Sequence, residues 1–191
     1  MKAIIDLKTG KAQPWTALQT AAYTLLDSSN VILSDEDHIY ESFSGGLYYG
    51  SVTQILKAEG FIDTTYYTEY GRERGSFVHL ACHYDDIGDL DEYTLDPEIK
   101  PYLDAYRRFK AESGFIVERS ESPMMSTKYL YAGTPDKVGA FPSGNIKRAA
   151  VELHNDGSYR LIPYTDRNDV NIWLAALAVF NWKQNNLKKG C

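Results

Sequence analysis

The chain has 191 residues, a hydrophobic content of 43% and a formal net charge of −6 at pH 7. This length suits one well-buried domain, and the ordinary composition excludes a disordered or fibrous chain. The acidic balance argues against bulk electrostatic attraction to nucleic acid, but a site that gathers carboxylates around divalent cations is acidic only until the metal binds.

The sequence also bears on the cellular compartment and on the cofactors that the protein could bind. No apolar run approaches the roughly 18 residues of a membrane helix, and Asp6 and Lys8 interrupt any apolar region of a signal peptide. Cys82 and Cys191 lack metal-type spacing, which excludes a cysteine-ligated iron–sulfur cluster or structural zinc. A reducing cytoplasm fits two such cysteines best.

A strand followed by a helix is predicted at the N-terminus. The run KAIIDL is rich in strand-forming residues and ends at a Thr-Gly turn. The helix begins near Pro14, because proline suits the first turn, and continues through WTALQTAAYTLL. Residues 27–46 are predicted to be a loop with one short apolar run, and the SGG at its end resembles a flexible joint.

Three helices are predicted next, in SVTQILKAEGF, GRERGSFVHLACHYDD and DPEIKPYLDAYRRFKAES. Ser51 is placed to cap the first of them, and Gly114 to end the third. Apolar residues recur at helical spacing in the third helix. They are Tyr102, Ala105, Tyr106 and Phe109.

The pattern changes to strands after the third helix. The predicted strands lie in FIVERSESPMM, KYLYAGTPDKVGAF, RAAVELH and SYRLIPY, with turns at PSGN and HNDGS. An amphipathic helix, DVNIWLAALAVFNWKQNNLKK, closes the chain. Intermixed strands and helices without internal repeats favour a single α/β fold built on a mixed sheet.

Two polar pairs near the N-terminus are candidates for a site. Asp6 and Lys8 lie two apart, so on a strand they point to the same face. Gln19 and Tyr23 lie four apart, on one face of the predicted helix. Taken singly, the first pair is also typical of an exposed salt pair at a strand end, and the second of the polar edge of an amphipathic helix.

The downstream candidates are one histidine and three carboxylates. Asp136 follows Gly-Thr-Pro at the end of an apolar strand, and His79 lies on a predicted helix. Glu118 and Glu121 both lie in IVERSESPMM, and Glu121 is the better candidate because it is nearer the break before Pro123. A turn aspartate and a satisfied helical histidine are the ordinary alternatives.

Together these residues resemble the PD-(D/E)XK nuclease superfamily, in particular its RecB-type and phage-exonuclease branch. That branch has a helical G-x-x-x-H, a strand Glu, G-T-x-D on the next strand, D/E-x-K on a third, and Q-x-x-x-Y on the following helix. The corresponding elements here are GSFVH, Glu121, GTPD, DLK and QTAAY. The resemblance covers most of the chain and implies a restriction-endonuclease-like core, with a central mixed sheet flanked by helices.

The order of the motifs departs from that family. There G-T-x-D precedes D/E-x-K across a hairpin, whereas here DLK comes first by more than a hundred residues. We therefore predict a permuted single domain, in which residues 1–42 are the transplanted third strand and helix, 43–46 a joint, and 47–191 the rest of the core. The N-terminal strand Ala3–Asp6 is then expected to pair antiparallel with Leu130–Asp136, with Met1 near the Pro142–Asn145 turn.

The resemblance implies Mg²⁺ or Mn²⁺ as cofactor. Asp6 and Asp136 would be the central ligands, with Glu121 assisting directly or through water and the backbone carbonyl of Leu7 as a further ligand. His79 would be a ligand of a second site, and an imidazole shifts the preference of a site from Mg²⁺ toward Mn²⁺.

The remaining motif residues would act on water and on DNA. Lys8 would orient or deprotonate the attacking water, or stabilise charge in the transition state. Gln19 and Tyr23 would position the scissile strand.

The implied function is a metal-dependent DNA nuclease, with a phage-type exonuclease of recombination or repair as the leading hypothesis. Such an enzyme would work in the cytoplasm, the host cytoplasm if phage-encoded, on DNA and away from membranes. Self-association would aid processivity, and a recombination protein is a further candidate partner. The alternatives are an endonuclease or nickase with the same site, a non-cutting DNA-binding module, and an unrelated α/β interaction protein.

Overall fold

Helices and strands are interspersed along the chain in a computed structural model that describes residues 2–34, 39–42, 48–63, 65 and 67–187. The helices are α1 (Trp15–Thr24), α2 (Val52–Ala58), α3 (Glu69–Ile87), α4 (Lys100–Ser113) and α5 (Asn168–Asn186). The strands are β1 (Ala3–Lys8), β2 (Val31–Ser34), β3 (Ile39–Ser42), β4 (Tyr48–Ser51), β5 (Ile116–Ser120), β6 (Met124–Ser126), β7 (Tyr131–Gly133), β8 (Lys137–Ala140), β9 (Arg148–Leu153) and β10 (Tyr159–Pro163). This mixture confirms the predicted α/β class.

Local signals account for several helix boundaries. Ser51 caps α2 by accepting a hydrogen bond from the backbone of Gln54, whose side chain bonds back to Ser51. α4 ends at Gly114, which adopts a left-handed φ of 67° that glycine takes without steric cost. The predicted cap and the predicted stop are both confirmed.

β1 lies at the centre of the first sheet, whose strand order is β10-β9-β1-β8-β5. It pairs antiparallel with β8, where Ala3 lies opposite Gly139, and parallel with β9, where Ile4 lies opposite Arg148. Because β1 and β9 are parallel, both strands begin at the same edge of the sheet.

The prediction of the strand that pairs with β1 was wrong in its residue range. β1 pairs with Lys137–Ala140, not with Leu130–Asp136. The expected strand is interrupted at Thr134–Asp136, and the residues before the interruption form β7, which belongs to the second sheet. Met1, expected near the Pro142–Asn145 turn, lies outside the described residues.

Instead of one sheet, the described residues form two, and the second has the order β2-β3-β4-β7-β6. It is also mixed, because β4 and β7 are parallel and its other neighbours antiparallel. Residues 27–46 were expected to be a loop, but they contain β2 and β3, in which Val31 and Tyr40 are buried. The joint predicted at 43–46 lies outside the part of the chain that the structure describes.

The two faces of the first sheet pack against different helices. Alternation along β1 sends Ala3, Ile5 and Leu7 toward α3 and α4, into a core cluster that also holds Tyr106 and Phe109. Ile4 points the other way, toward α1 and α5, in a cluster that is shared with Met124 and Tyr131 of the second sheet. Asp6 and Lys8 share the parity of Ile4 and so lie on the α1 face.

No helix within the described residues is long and apolar enough to cross a membrane.

Candidate metal centre

Three carboxylates line up across the ends of three adjacent strands. β1 and β8 pair Ile5 with Lys137, so one step further the same register sets Asp6 opposite Asp136. β5 and β8 pair Ser120 with Lys137, which sets Glu121 on the other side of Asp136. The row Asp6–Asp136–Glu121 therefore results from strand register and joins chain segments more than a hundred residues apart.

Asp6 is buried at the end of β1. Its side chain is only 1% exposed, and Oδ2 lies 2.8 Å from the ammonium nitrogen of Lys8. An exposed surface salt pair, the ordinary alternative for these two residues, is thereby excluded. Oδ1 of Asp6 is also buried, and it has no hydrogen-bond partner among the described residues.

Asp136 is held from the backbone of both neighbouring segments. Its Oδ2 accepts a hydrogen bond of 2.6 Å from the backbone N–H of Leu7. Its backbone oxygen accepts one of 2.9 Å from the N–H of Glu121. The first bond holds the carboxylate and the second the backbone of Asp136, at the junction of β1, β5 and β8 and in a buried position.

Glu121 reaches the row because β5 ends just before it. Its φ of 47° is left-handed, a conformation that costs a residue with a Cβ atom roughly 1–2 kcal/mol. Glu118 lies within the strand and is exposed. Of the two glutamates considered from the sequence, the structure brings Glu121 to the site and leaves Glu118 away from it.

His79 joins the row from α3. Its Nδ1 lies 3.2 Å from Oε1 of Glu121 and 3.7 Å from Oδ1 of Asp136. Its Nε2 lies 3.2 Å from the carbonyl oxygen of Leu7. One ligand atom from each of His79, Glu121 and Asp136 lies within 4.8 Å of the others, a spacing that could hold a metal ion.

Asp6 was expected to be a central ligand beside Asp136. The structure places it next to Asp136 and Lys8, outside the group formed by His79, Glu121 and Asp136. His79 therefore lies closer to the centre of the site than the sequence predicted. Asp6 lies beside Lys8 and not within the group of three ligands.

The titration behaviour of the site reflects its crowded charges. Burial is the largest cause that raises the pKa of Asp6; Lys8 opposes it and Asp136 adds to it, and the pKa becomes about 7. Burial lowers the pKa of His79, but Asp136 and Glu121 outweigh it and raise this pKa to about 9. Without a metal, His79 is therefore an imidazolium at neutral pH, and its charge offsets the carboxylates beside it.

Lys8 stays charged for a similar reason. Burial lowers its pKa, but Asp6 and Asp136 together raise the pKa above the usual lysine value. In the metal-free protein Lys8 is an ammonium, which can donate hydrogen bonds and stabilise negative charge but cannot accept a proton.

Gln19 and Tyr23 stand beside the carboxylate row on α1. Nε2 of Gln19 donates a 3.0 Å hydrogen bond to the Tyr23 hydroxyl, while Oε1 of Gln19 is buried without a partner among the described residues. Both side chains line a cavity of about 310 Å³ that extends to Glu121 and Asp136. A Cβ atom on Gly133 would lie 2.7 Å from the Tyr23 ring, so the glycine of GTPD makes room for that ring.

The donor set fits a hard divalent cation. Carboxylate and carbonyl oxygens suit Mg²⁺ and Mn²⁺, and one imidazole favours Mn²⁺. Two features of the metal-free site also fit: Oδ1 of Asp6 has no hydrogen-bond partner among the described residues, and the carboxylates of Asp136 and Glu121 share one His79 nitrogen. The cluster His79, Glu121 and Asp136 could hold such an ion, with the Leu7 carbonyl within reach of the same imidazole.

Some residues of the site were not predicted from the sequence. The Tyr40 hydroxyl lies 2.8 Å from Oγ1 of Thr134, and both line the cavity. The Trp15 ring lies 5.4 Å from the Lys8 nitrogen, a cation–π distance. Thr134 could have been noticed inside GTPD, but Tyr40 lies in a segment whose pattern indicated only a loop.

No known family model matches this chain, and no curated protein has a detectably similar sequence. The resemblance of the five motifs to the PD-(D/E)XK nucleases stays a prediction. A function is therefore inferred from the geometry of the carboxylate row and its neighbours.

Proposed function

We propose that this protein is a metal-dependent DNA nuclease of the PD-(D/E)XK kind. One observation carries the proposal: residues 6–8, 79, 121 and 136 come from separate parts of the chain and meet where three neighbouring strands of the first sheet end. Burying like charges together is costly, so folding alone gives no reason to assemble them. A divalent cation would offset that cost.

The order of the strands supports a permuted nuclease core. β8 and β1 are antiparallel neighbours, as the family's central hairpin would be if the chain ran from GTPD directly into DLK. β9 lies parallel to β1 on its other side, where the strand after the Gln/Tyr helix would belong. We propose that β1 and α1 are the third-strand-and-helix unit of that core, moved to the N-terminus.

The residues divide the work of phosphodiester hydrolysis between them. A divalent ion at the site would acidify water and act as a Lewis acid on the phosphoryl oxygens. Lys8, held by Asp6 at 2.8 Å, would orient the attacking water and stabilise the charge that develops on the phosphoryl group. Gln19 and Tyr23, which line the cavity beside Asp136, would position the scissile strand.

An exonuclease is the leading form of the proposal, by resemblance to the phage-exonuclease branch. An endonuclease or nickase would use the same residues, and a non-cutting module would keep the DNA-binding surface alone. The pair of Lys8 and the buried Asp6 argues against the module, because such a module would not need to bury a carboxylate beside two others.

The test is incubation with end-labelled linear DNA and with covalently closed circular DNA, each in Mg²⁺, in Mn²⁺ and in EDTA. Shortening of linear DNA alone marks an exonuclease, and nicking of circles marks an endonuclease. The variant Asp136→Asn, purified in parallel, controls for contaminating nucleases and should be inactive. If neither metal supports cutting by the wild-type protein, the nuclease proposal fails.

Processive degradation would need more surface around DNA than one acidic domain of this size offers. We therefore propose self-association as part of the exonuclease form, which sedimentation velocity with and without DNA would detect. Sedimentation as a monomer under conditions of processive cutting would contradict this part of the proposal.

A further inference from the structure

A second polar cluster lies on the opposite face of the first sheet, between the sheet and the helices α3 and α4. Lys137 is its centre and is completely buried. Its ammonium nitrogen lies 2.9 Å from Oδ2 of Asp86 and donates a 2.6 Å hydrogen bond to the hydroxyl of Ser120. None of these side chains lines the cavity at the metal centre.

The cluster joins three elements through one hydroxyl. Ser120 on β5 lies opposite Lys137 on β8, and Nδ1 of His83 on α3 lies 3.0 Å from the same Ser120 oxygen. A lysine ammonium only donates, so Ser120 accepts from Lys137, and its contact with Nδ1 of His83 is a second hydrogen bond of the same oxygen. Helix α3 and strands β5 and β8 are therefore tied together by a short chain of buried hydrogen bonds.

Each of these three residues stands next to one of the proposed ligands. Ser120 directly precedes Glu121, and Lys137 directly follows Asp136. His83 lies one helical turn after His79. The bond between Lys137 and Ser120 thus links the segments of Asp136 and Glu121, and the bond between His83 and Ser120 links those of His79 and Glu121.

The stability of the fold does not by itself account for this arrangement. Asp86 already bonds to the Tyr106 hydroxyl and to Lys110, at 2.8 Å each, without help from Lys137. Buried ion pairs often contribute little net stability, because desolvation cancels much of the attraction. A buried apolar side chain at position 137 would serve packing as well.

We propose that Lys137, Ser120 and His83 are positioning residues that hold His79, Glu121 and Asp136 at the separation required by a small divalent cation. The inference rests on the proposed metal centre and goes beyond it, because it assigns these three residues to the choice of ion. Mg²⁺ and Mn²⁺ need a compact, regular set of ligands, whereas Ca²⁺ tolerates longer and irregular distances. Loosening the cluster should therefore weaken Mn²⁺ binding more than Ca²⁺ binding.

The experiment compares Ser120→Ala with Ser126→Ala, which removes a hydroxyl from another buried serine, in the second sheet. The dissociation constant of Mn²⁺ is measured on the full chain by electron paramagnetic resonance of free Mn²⁺, and that of Ca²⁺ by competition. Ser120→Ala should weaken Mn²⁺ binding by about tenfold or more, as loss of outer partners of metal ligands usually does. Ca²⁺ binding should change much less, and Ser126→Ala should leave both constants unchanged.

Two further variants separate positioning from a general loss of fold. Ser120→Thr keeps the hydroxyl and should restore Mn²⁺ binding. Lys137→Met removes the bond to Ser120 but leaves Asp86 with Tyr106 and Lys110, so it should fold and show the same selective loss of Mn²⁺.

Equal losses of Mn²⁺ and Ca²⁺ affinity, or none, in Ser120→Ala and Lys137→Met would overturn the inference. Wild-type protein that binds Mn²⁺ but cuts no DNA would refute the nuclease proposal and leave the positioning role intact. Wild-type protein that binds no Mn²⁺ would refute both.

Discussion

Nε2 of His79 lies 3.2 Å from the carbonyl oxygen of Leu7, the residue between Asp6 and Lys8. Helix α3 therefore contacts the central strand β1 between the two residues of the proposed catalytic pair. In the metal-free protein the imidazolium of His79 occupies the middle of an anionic group, where a divalent cation would otherwise supply the positive charge. Proton and metal should therefore compete for this site.

The stability of the metal-free protein should fall as the pH rises from about 5 to about 9. The pKa of His79 is raised from 6.5 to about 9, so the stability it contributes is complete below 6.5 and is lost as pH rises to 9. The pKa of Asp6 is raised from 3.8 to about 7, so the folded protein also binds more protons than the unfolded chain between those values. Urea unfolding in EDTA across this pH range measures the effect.

Saturating Mn²⁺ provides the control for this pH dependence. Bound metal keeps the ligands deprotonated, so the slope should flatten, and His79→Gln should remove the part of the slope above about pH 7, where Asp6 no longer contributes. A stability in EDTA that rises from about pH 5 to about pH 9 would contradict the assigned protonation of both groups.

His79→Ala should reduce the preference for Mn²⁺ over Mg²⁺ while the protein stays folded. An imidazole ligand favours Mn²⁺, and its loss leaves an all-oxygen donor set that suits either ion. The ratio of activities in the two metals, and the ratio of their dissociation constants, both report the change. His154→Ala, at the end of β9, is the matched control, and an unchanged ratio in His79→Ala would remove His79 from the metal centre.

Lys8→Ala should lower kcat by about a hundredfold or more, because a charge that stabilises the transition state is lost. The dissociation constant of Mn²⁺ should stay the same or decrease, since a competing positive charge is removed from the site. Single-turnover cleavage and metal titration of the same preparation separate the two effects. Lys11→Ala removes an exposed lysine from the neighbouring loop and should leave both kcat and Mn²⁺ affinity unchanged. Near-wild-type turnover in Lys8→Ala would falsify the catalytic role of Lys8.

Asp6→Asn should abolish cleavage and yet raise the melting temperature in EDTA. The Asp6 carboxyl is buried beside Asp136, and burial raises its pKa to about 7, so near and above that pH its charge destabilises the fold. For a chain of this length, each kcal/mol regained is worth roughly 2–4 °C. Calorimetry in EDTA at mildly alkaline pH is the measurement, and a lower melting temperature would show that Lys8 more than compensates the buried charge.

Glu121→Gly should separate backbone strain from metal binding. Glycine adopts the left-handed φ of position 121 freely, so the free energy of unfolding should hold steady or increase by up to about 1 kcal/mol. Mn²⁺ affinity should fall, because a ligand is lost. Glu118→Gly, at the position where the pairing of β5 with β8 shifts register, should do the reverse: it should cost about 0.5–1 kcal/mol, because glycine loses more backbone freedom on folding, and leave Mn²⁺ binding intact.

If both glycine variants bind Mn²⁺ like the wild-type protein, Glu121 is not a ligand. If only Glu118→Gly weakens binding, the assignment of the first acidic residue must be exchanged between the two positions.

Short-range features of this chain could be predicted from the sequence because neighbouring residues alone decide them. The cap at Ser51, the stop at Gly114 and the same-face pair of Gln19 and Tyr23 each depend on contacts within five residues. The apolar spacing around Tyr106 likewise predicted the buried face of α4.

The second sheet could not be predicted, because its strands β2 and β3 are four residues long and mix buried with exposed positions. Runs this short become strands only when a neighbouring strand supplies the hydrogen bonds. The change of sheet at Thr134–Asp136 could not be predicted for the same reason. The segment KYLYAGTPDKVGAF has the pattern of a single strand, but β7 pairs with β4 and β8 pairs with β1.

The sequence by itself determined which residue types could form a site, since DLK, GTPD, Glu121 and His79 are all present at motif spacing. Only the tertiary structure decided how they meet. Strand register sets Asp6, Asp136 and Glu121 in a row, and the packing of α3 brings His79 among them while Glu118 stays outside. Register and helix packing depend on contacts between residues far apart in the chain, and local patterns carry no record of those distances.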